Sequence, residues 1–323
     1  MLNRRILRIK VFKVLYSYAE NHGMTANEAL DAFRDSCEAT RDLYLFLLGI
    51  IPPLTDVARR RIEASRGKFS ATEEDLHPNM KFASNALSAL LEQDPDFQKL
   101  LQRKGLSWDQ SDVLLHDLFQ SISEKDYYRA YMDSPGTTSS LDQDVRLFKK
   151  IFENELEDNE ALAALLEDMN ILWIDEPGYA LNYVIKSLDE IRRTGRWTLP
   201  PLYQSDILKA KGAEADSDED FSRKLLLAAF SGFNGYYDKI SSRVTKWDRE
   251  RIYTTDIVLI AMGLAEAETF PEIPVKVTIN EYVEISKYYS TPKSRVFVNG
   301  LLDSLIRESE AEGKVVKTGK GLL

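Results

Sequence analysis

Apolar residues recur every three or four positions along most of the chain. That is the period of an amphipathic helix, not the alternation of a strand. The pattern predicts helices over residues 4–20, 27–50, 54–65, 80–92, 94–103, 108–121, 124–132, 141–156, 159–170, 178–193, 218–232, 234–246, 249–266, 278–289 and 292–311, and no strand. Pro52-Pro53, Asp94-Pro95, Ser134-Pro135-Gly136, Pro200-Pro201 and Pro271–Pro274 punctuate them, as residues that stop or start helices do. Residues 66–79 and 194–219 are polar, with few positions to bury, and read as loose linkers. Residues 146–179 and 220–253 echo each other at an offset of 74, pairing Trp173 with Trp247 and Tyr179 with Tyr253. A duplicated helical pair and chance similarity both account for it.

In the first helix, Leu7, Val11, Val14 and Tyr18 form a stripe for a partner helix. Arg5, Ile9, Phe12, Lys13 and Tyr16 project from another side, with Arg4 and Arg8 one turn apart at the border. Guanidinium groups at this spacing suit phosphates, and a neighbouring ring can stack on an unpaired base. A solvated basic face would look the same.

The last helix opens on Thr291-Pro292-Lys293-Ser294-Arg295. Thr291 is a candidate cap and Pro292 suits a first turn. Lys293, Ser294 and Arg295 add donors beside the unpaired amides of a helix start, a plausible phosphate site. Asn299-Gly300 stands mid-helix, although Gly costs about 0.8–1 kcal/mol there against Ala. The expected reason is a close helix crossing at Gly300, with Asn299 satisfying a polar group at the junction. In the preceding helix, Thr278 and Glu281 have the spacing of a capping box.

Composition adds limits. The chain has 323 residues, 29% of them charged and 44% hydrophobic, which fits one large or two modest domains. No apolar run has the roughly 20 residues that span a bilayer. The basic, amphipathic N-terminus lacks the features of a signal peptide. Cys37 is the only cysteine, so no internal disulfide can form and a reducing cytoplasm is the expected location. His22, His77 and His116 lack ligand spacing, and no Gly-rich phosphate loop follows a strand. No cofactor, metal or catalytic residue is expected, and the chain does not read as an enzyme. The net charge is −10, yet residues 1–20 carry five basic side chains against Glu20 alone. An acidic body with a basic leading helix disfavours strong, unaided nucleic-acid binding but allows a local basic footprint.

The segment PVKVTINEYVEISKYYSTPKSRVFVNGLLDSL, 274–305, resembles the C-terminal signature of the NusB family of bacterial transcription antitermination factors. WDRERI (247–252), followed by Asp256, Leu259 and Glu266, resembles that family's Trp-containing motif and Leu-rich helix. RRILRIKVFKVLYSY (4–18) and DFSRKLLLAAFSG (220–232) resemble its arginine-rich first helix and the helix before the Trp. The resemblance implies an all-α fold of NusB-like helical bundles, with residues 1–20 and 218–323 as core and 21–217 as a large acidic helical insertion, as in the long Bacteroidetes-type forms. It implies binding of boxA-type sequences in ribosomal RNA transcripts, jointly with ribosomal protein NusE, within an RNA polymerase antitermination complex. By resemblance, Arg4, Arg5, Arg8, Tyr16, Lys293, Ser294 and Arg295 face RNA, and Asp256 and Glu266 lie on the NusE-binding helix. Ala261 stands where the family often has Arg, and Lys293 where an acidic residue is common. The rival readings are a helical protein-binding scaffold without RNA binding and the NusB-like part of an rRNA methyltransferase system. The latter would need a nucleotide-binding domain and catalytic cysteines that this chain lacks.

Overall fold

The computed structural model describes residues 1–212, 216–244 and 253–322. The WDRERI motif at 247–252 therefore lies outside the described residues. Helices in chain order are α1 (Arg4–Glu20), α2 (Ala26–Leu48), α3 (Ile51–Arg66), α4 (Glu73–Leu76), α5 (Ala86–Gln93), α6 (Pro95–Lys104), α7 (Asp112–Ser123), α8 (Asp126–Met132), α9 (Leu141–Ile151), α10 (Glu160–Met169), α11 (Pro177–Thr194), α12 (Gln204–Ala210), α13 (Asp218–Val244), α14 (Thr254–Thr269), α15 (Val275–Tyr289) and α16 (Ser294–Ala311). Among the described residues no strand forms; one isolated parallel bridge joins Leu2 to Tyr203. The fold is all-α, as the helical period requires.

The chain divides into two compact units, Met1–Cys37 with Pro201–Leu323, and Glu38–Pro200. The first division falls inside α2. Residues 38–200 hold 29 acidic and 19 basic side chains, which is the whole net charge of the chain. The first unit is neutral overall.

The first unit is built around α14. Its sequence VLIAMGLAEA is apolar on every side but for Glu266, and residues 258–267 are all buried, as a helix without a polar face must be. It packs against α1, α13, α15 and α16. Leu7, Val11 and Val14 of α1 are buried as their spacing predicts, joined by Phe12 and Leu15. Residues 218–244 form one continuous helix, where the sequence predicted a break near residue 233. Leu225, Leu226, Ala229, Phe233, Ile240 and Val244 keep one buried face along the helix, past Gly232 and the exposed Gly235. That continuity also separates the region from residues 146–179, which span α9, a π-turn at Phe152–Leu156, α10, a 3-10 turn at Ile171–Trp173 and the start of α11. The described parts of the two stretches thus differ in secondary structure, and Trp247 lies outside the described residues.

Two further expectations change in the last helices. Helix α15 starts one turn early, on Pro274, so Thr278 is not a cap. It is fully buried and donates to Glu266 at 2.9 Å. Gly300 lies on the exposed side of α16, and a Cβ built there meets nothing within 4 Å. Asn299 is exposed beside it. The close crossing belongs instead to Gly263 of α14, whose Cβ would stand 2.6 Å from Leu302 Cδ2.

The second unit has an aromatic core. Phe46 stacks on Trp108 at 4.2 Å between centroids and faces Trp173 at 5.5 Å, while Phe82 gathers Phe119, Tyr128 and Phe148. Buried Trp108 and Trp173 direct their indole N–H groups to the carbonyls of Phe46 and Ala39, which satisfies donors that burial would otherwise strand. Short helices occupy the stretches read as loose: α4 in this unit, with a complete Thr72–Asp75 capping box, and α12 in the first unit.

Candidate nucleic-acid interface

The side chains singled out on α1 divide by burial. Arg8 is 3% exposed. Its Nε and Nη2 donate to both oxygens of Glu266, at 2.6 and 2.9 Å. Glu266 is fully buried and also accepts from Thr278 and from the Tyr282 hydroxyl at 3.0 Å. This satisfies a charge that would be costly to bury unpaired. Burial opposes the Arg8 charge, but the Glu266 carboxylate outweighs it and holds the guanidinium above its ordinary value. Burial, reinforced by Glu266, pushes Tyr282 up as well. Neither Arg8 nor Glu266 is on a surface here: Arg8 ties α1 to α14, and Glu266 is the hub of that tie. The placement of Arg8 toward RNA and Glu266 toward a protein partner is corrected accordingly.

Arg5 is half exposed and makes a bidentate pair with Glu281 of α15, at 2.9 and 2.8 Å. That hydrogen bonding holds the Glu281 carboxyl below its ordinary value against the effect of burial. Arg8 reaches Glu281 at 3.8 Å, so one carboxylate spans the buried and the exposed arginine. Arg4 is partly exposed, bonds Asp218 at 3.1 Å and lies over the Phe221 ring.

Farther along α1, Phe12 is buried between Tyr16 and Tyr289, with centroids at 6.1 and 5.3 Å. Tyr16 is 37% exposed and Tyr288, next to Tyr289, is 81% exposed. Tyr288 was missed in the sequence; its place in the last turn of α15, just ahead of the basic cluster, is the signal that could have flagged it.

At the start of α16, Lys293 and Arg295 are exposed while Ser294 is buried. Ser294 Oγ donates to Asp256 Oδ2 at 2.8 Å and Ser290 Oγ to Oδ1 at 2.7 Å. Asp256 is 2% exposed. Burial raises its carboxyl, and the two hydroxyls only partly offset that. Asp256 thus ties α14 to the α15–α16 turn, which corrects its assignment to a partner surface and that of Ser294 to phosphate contact. Ala261, where the family often has Arg, is fully buried.

Arg5, Tyr16, Lys293 and Arg295 are therefore the accessible members of the predicted set. Helix α15 and its C-cap reach towards them: mid-helix Glu281 bonds Arg5, Tyr289 packs on Phe12, which neighbours Tyr16, and Ser290 bonds Ser294 between Lys293 and Arg295. Among the described residues no cluster of His, Cys, Asp and Glu could hold a metal ion, and no helix is long and apolar enough to cross a membrane. Exposed cations can hold phosphates, and a partly exposed ring can stack on a base.

The model of the NusB family matches residues 184–307, less than half of the chain and without α1. Among curated relatives, the transcription antitermination protein NusB of Salinibacter ruber is 34% identical over 110 residues, covering 34% of this chain and 69% of that protein. Its namesake from Dictyoglomus turgidum is 37% identical over 126 residues, 36% of this chain and 84% of that protein. The one from Chloroherpeton thalassium is 34% identical over 135 residues, 42% of this chain and 60% of that protein. The chain belongs to the NusB family. No solved structure matches it.

Proposed function

We propose that this chain is a transcription antitermination factor that binds boxA-type RNA of ribosomal transcripts together with ribosomal protein NusE, in an RNA polymerase complex in the cytoplasm. The observation that carries the reading is the exposed set Arg5, Tyr16, Lys293 and Arg295 on α1 and α16, in a unit whose family members bear the antitermination name. The role is binding, not catalysis. A neutral unit gives weak electrostatic attraction for RNA by itself, so a basic partner that supplies further phosphate contacts fits the charge balance. With Asp256 and Glu266 buried, the NusE-facing surface is formed by other residues of the first unit.

The test is RNA binding by the full chain, with and without NusE, as salt is raised. Lys293→Glu with Arg295→Glu should weaken binding and lower the salt slope by about one per lost phosphate contact. Tyr16→Ala should cost about 1–3 kcal/mol of binding if it stacks on a base. Wild-type affinity and slope in all these variants would leave the chain as a protein-binding scaffold.

A further inference from the structure

The second unit carries the acidic excess, so its cations should find carboxylates easily, and most do. Arg41, Arg59, Arg60, Lys68, Lys104, Lys125, Arg129, Arg146, Lys149, Arg192 and Arg193 are all ion-paired. Lys81 is held by carbonyls, and Arg61, Lys150 and Lys186 lie over aromatic rings. Among the described residues of this unit, the side chains of Arg66, Lys99, Arg103 and Arg196 alone show no such partner. Two of these four share one groove. Lys99 and Arg103 line a surface groove of about 710 Å³ between α6 and residues 197–199, and Arg196 is the residue before it.

The positions are one turn apart on α6, which puts them on the same face, roughly 5–6 Å apart at Cβ. Leu100 and Leu199 give the groove an aliphatic lining, and Asp96 is its one carboxylate. Trp197 also lines it but offers no ring face. It is 5% exposed, packs on Phe97 at 4.9 Å, and gives its N–H to the Tyr44 hydroxyl at 3.0 Å.

The geometry points to a docking site for an acidic peptide segment with an aliphatic anchor residue. The anchor lies between Leu100 and Leu199, and carboxylates beside it meet Lys99 and Arg103. Charge complementarity selects the occupant. A strip left unpaired inside an acidic unit attracts a short anionic ligand at contact range, where screening over about 8 Å mutes the surrounding negative charge. An extended RNA strand would run beyond that range into the unit's acidic field and would find no exposed ring to stack on.

The experiment uses the full chain and three labelled probes: a dodecapeptide of Asp and Glu around a central Leu-Leu pair, the same peptide with Ser-Ser, and oligouridylate. Fluorescence anisotropy should show saturable binding of the Leu peptide and at least tenfold weaker binding of the Ser peptide. Lys99→Glu with Arg103→Glu should lower Leu-peptide affinity at least tenfold, while Arg66→Glu, a control cation away from the groove, keeps it. Circular dichroism melts of both variants should match the wild type; if the double reversal unfolds the unit, Leu100→Asn and Leu199→Asn replace it with the same expected loss. Absence of Leu-peptide binding, equal binding by all variants, or loss of oligouridylate binding in the groove variants in place of peptide binding would overturn the proposal.

Discussion

Two glycines in neighbouring helices should respond to the same substitution with opposite signs. At Gly300 the added methyl enters open space on α16. Only helix propensity changes, and Ala gains about 0.8–1 kcal/mol over Gly. For a body of this size about 1 kcal/mol corresponds to a rise of roughly 2–4 °C in the melting midpoint. At Gly263 the methyl would stand 2.6 and 2.8 Å from the two Cδ atoms of Leu302, which is fully buried. Overpacking of this kind costs about 1–3 kcal/mol, which offsets the propensity gain and leaves a net loss. The collision also predicts coupling: in a Leu302→Ala background the obstructing methyls are gone, and Gly263→Ala should then stabilise. Thermal melts followed by circular dichroism on the four variants make the comparison. A lower midpoint for Gly300→Ala, or a higher one for Gly263→Ala in the otherwise native chain, would refute the packing described here.

Arg8→Ala strands Glu266 in the core without its cation, and chemical denaturation should show a loss of about 3–5 kcal/mol; a loss under 1 kcal/mol would move Arg8 out of the structural role. Glu281→Gln frees Arg5, so RNA binding should tighten. The depressed Glu281 carboxyl contributes stability that is present above its ordinary value of 4.5 and lost as pH falls through the lower folded value. The Gln variant should therefore show a shallower loss of stability on acidification, and an unchanged acid limb would show that the pair contributes nothing. Asp256 has the opposite sign. Its folded value is raised above 3.8, so its contribution is complete below 3.8 and lost as pH rises through the folded value. Asp256→Asn should be at least as stable as wild type at pH 7 by urea denaturation, and a marked loss there would mean that the charged form is required.

Helix positions were legible because burial and period coincide: the α1 stripe of Leu7, Val11 and Val14 marks a face to bury, and the long apolar run of α14 marks a helix buried on every side. The side-chain assignments fared differently, since period gives a face but not what covers it. Arg4 and Arg8 look equivalent on a helical wheel, yet Glu266, 258 residues after Arg8, claims only the second. Asp256 and Glu266 read as surface acids because no local feature announces a buried hydroxyl or guanidinium. Gly300 was expected to be a contact point because a mid-helix glycine is costly, and Gly263, hidden in an apolar run, drew no notice. The groove at Lys99 and Arg103 was invisible for a related reason: what distinguishes those residues is that no carboxylate pairs with them, although Asp96 lines the same groove.

The Arg8–Glu266 pair also sets a schedule. Helix α1 emerges early in synthesis, but α13 and α14, against which it packs, follow more than 200 residues later. At about 5–20 residues per second, the ribosome needs roughly 10–50 s to deliver them. Throughout that interval Leu7, Val11, Phe12 and Val14 lack the cover of α13 and α14, while residues 38–200 can already close on their own contacts. The nascent chain thus carries an exposed apolar helix for the time that its middle takes to fold, an opening for chaperones and a reason for the basic residues that keep that helix soluble.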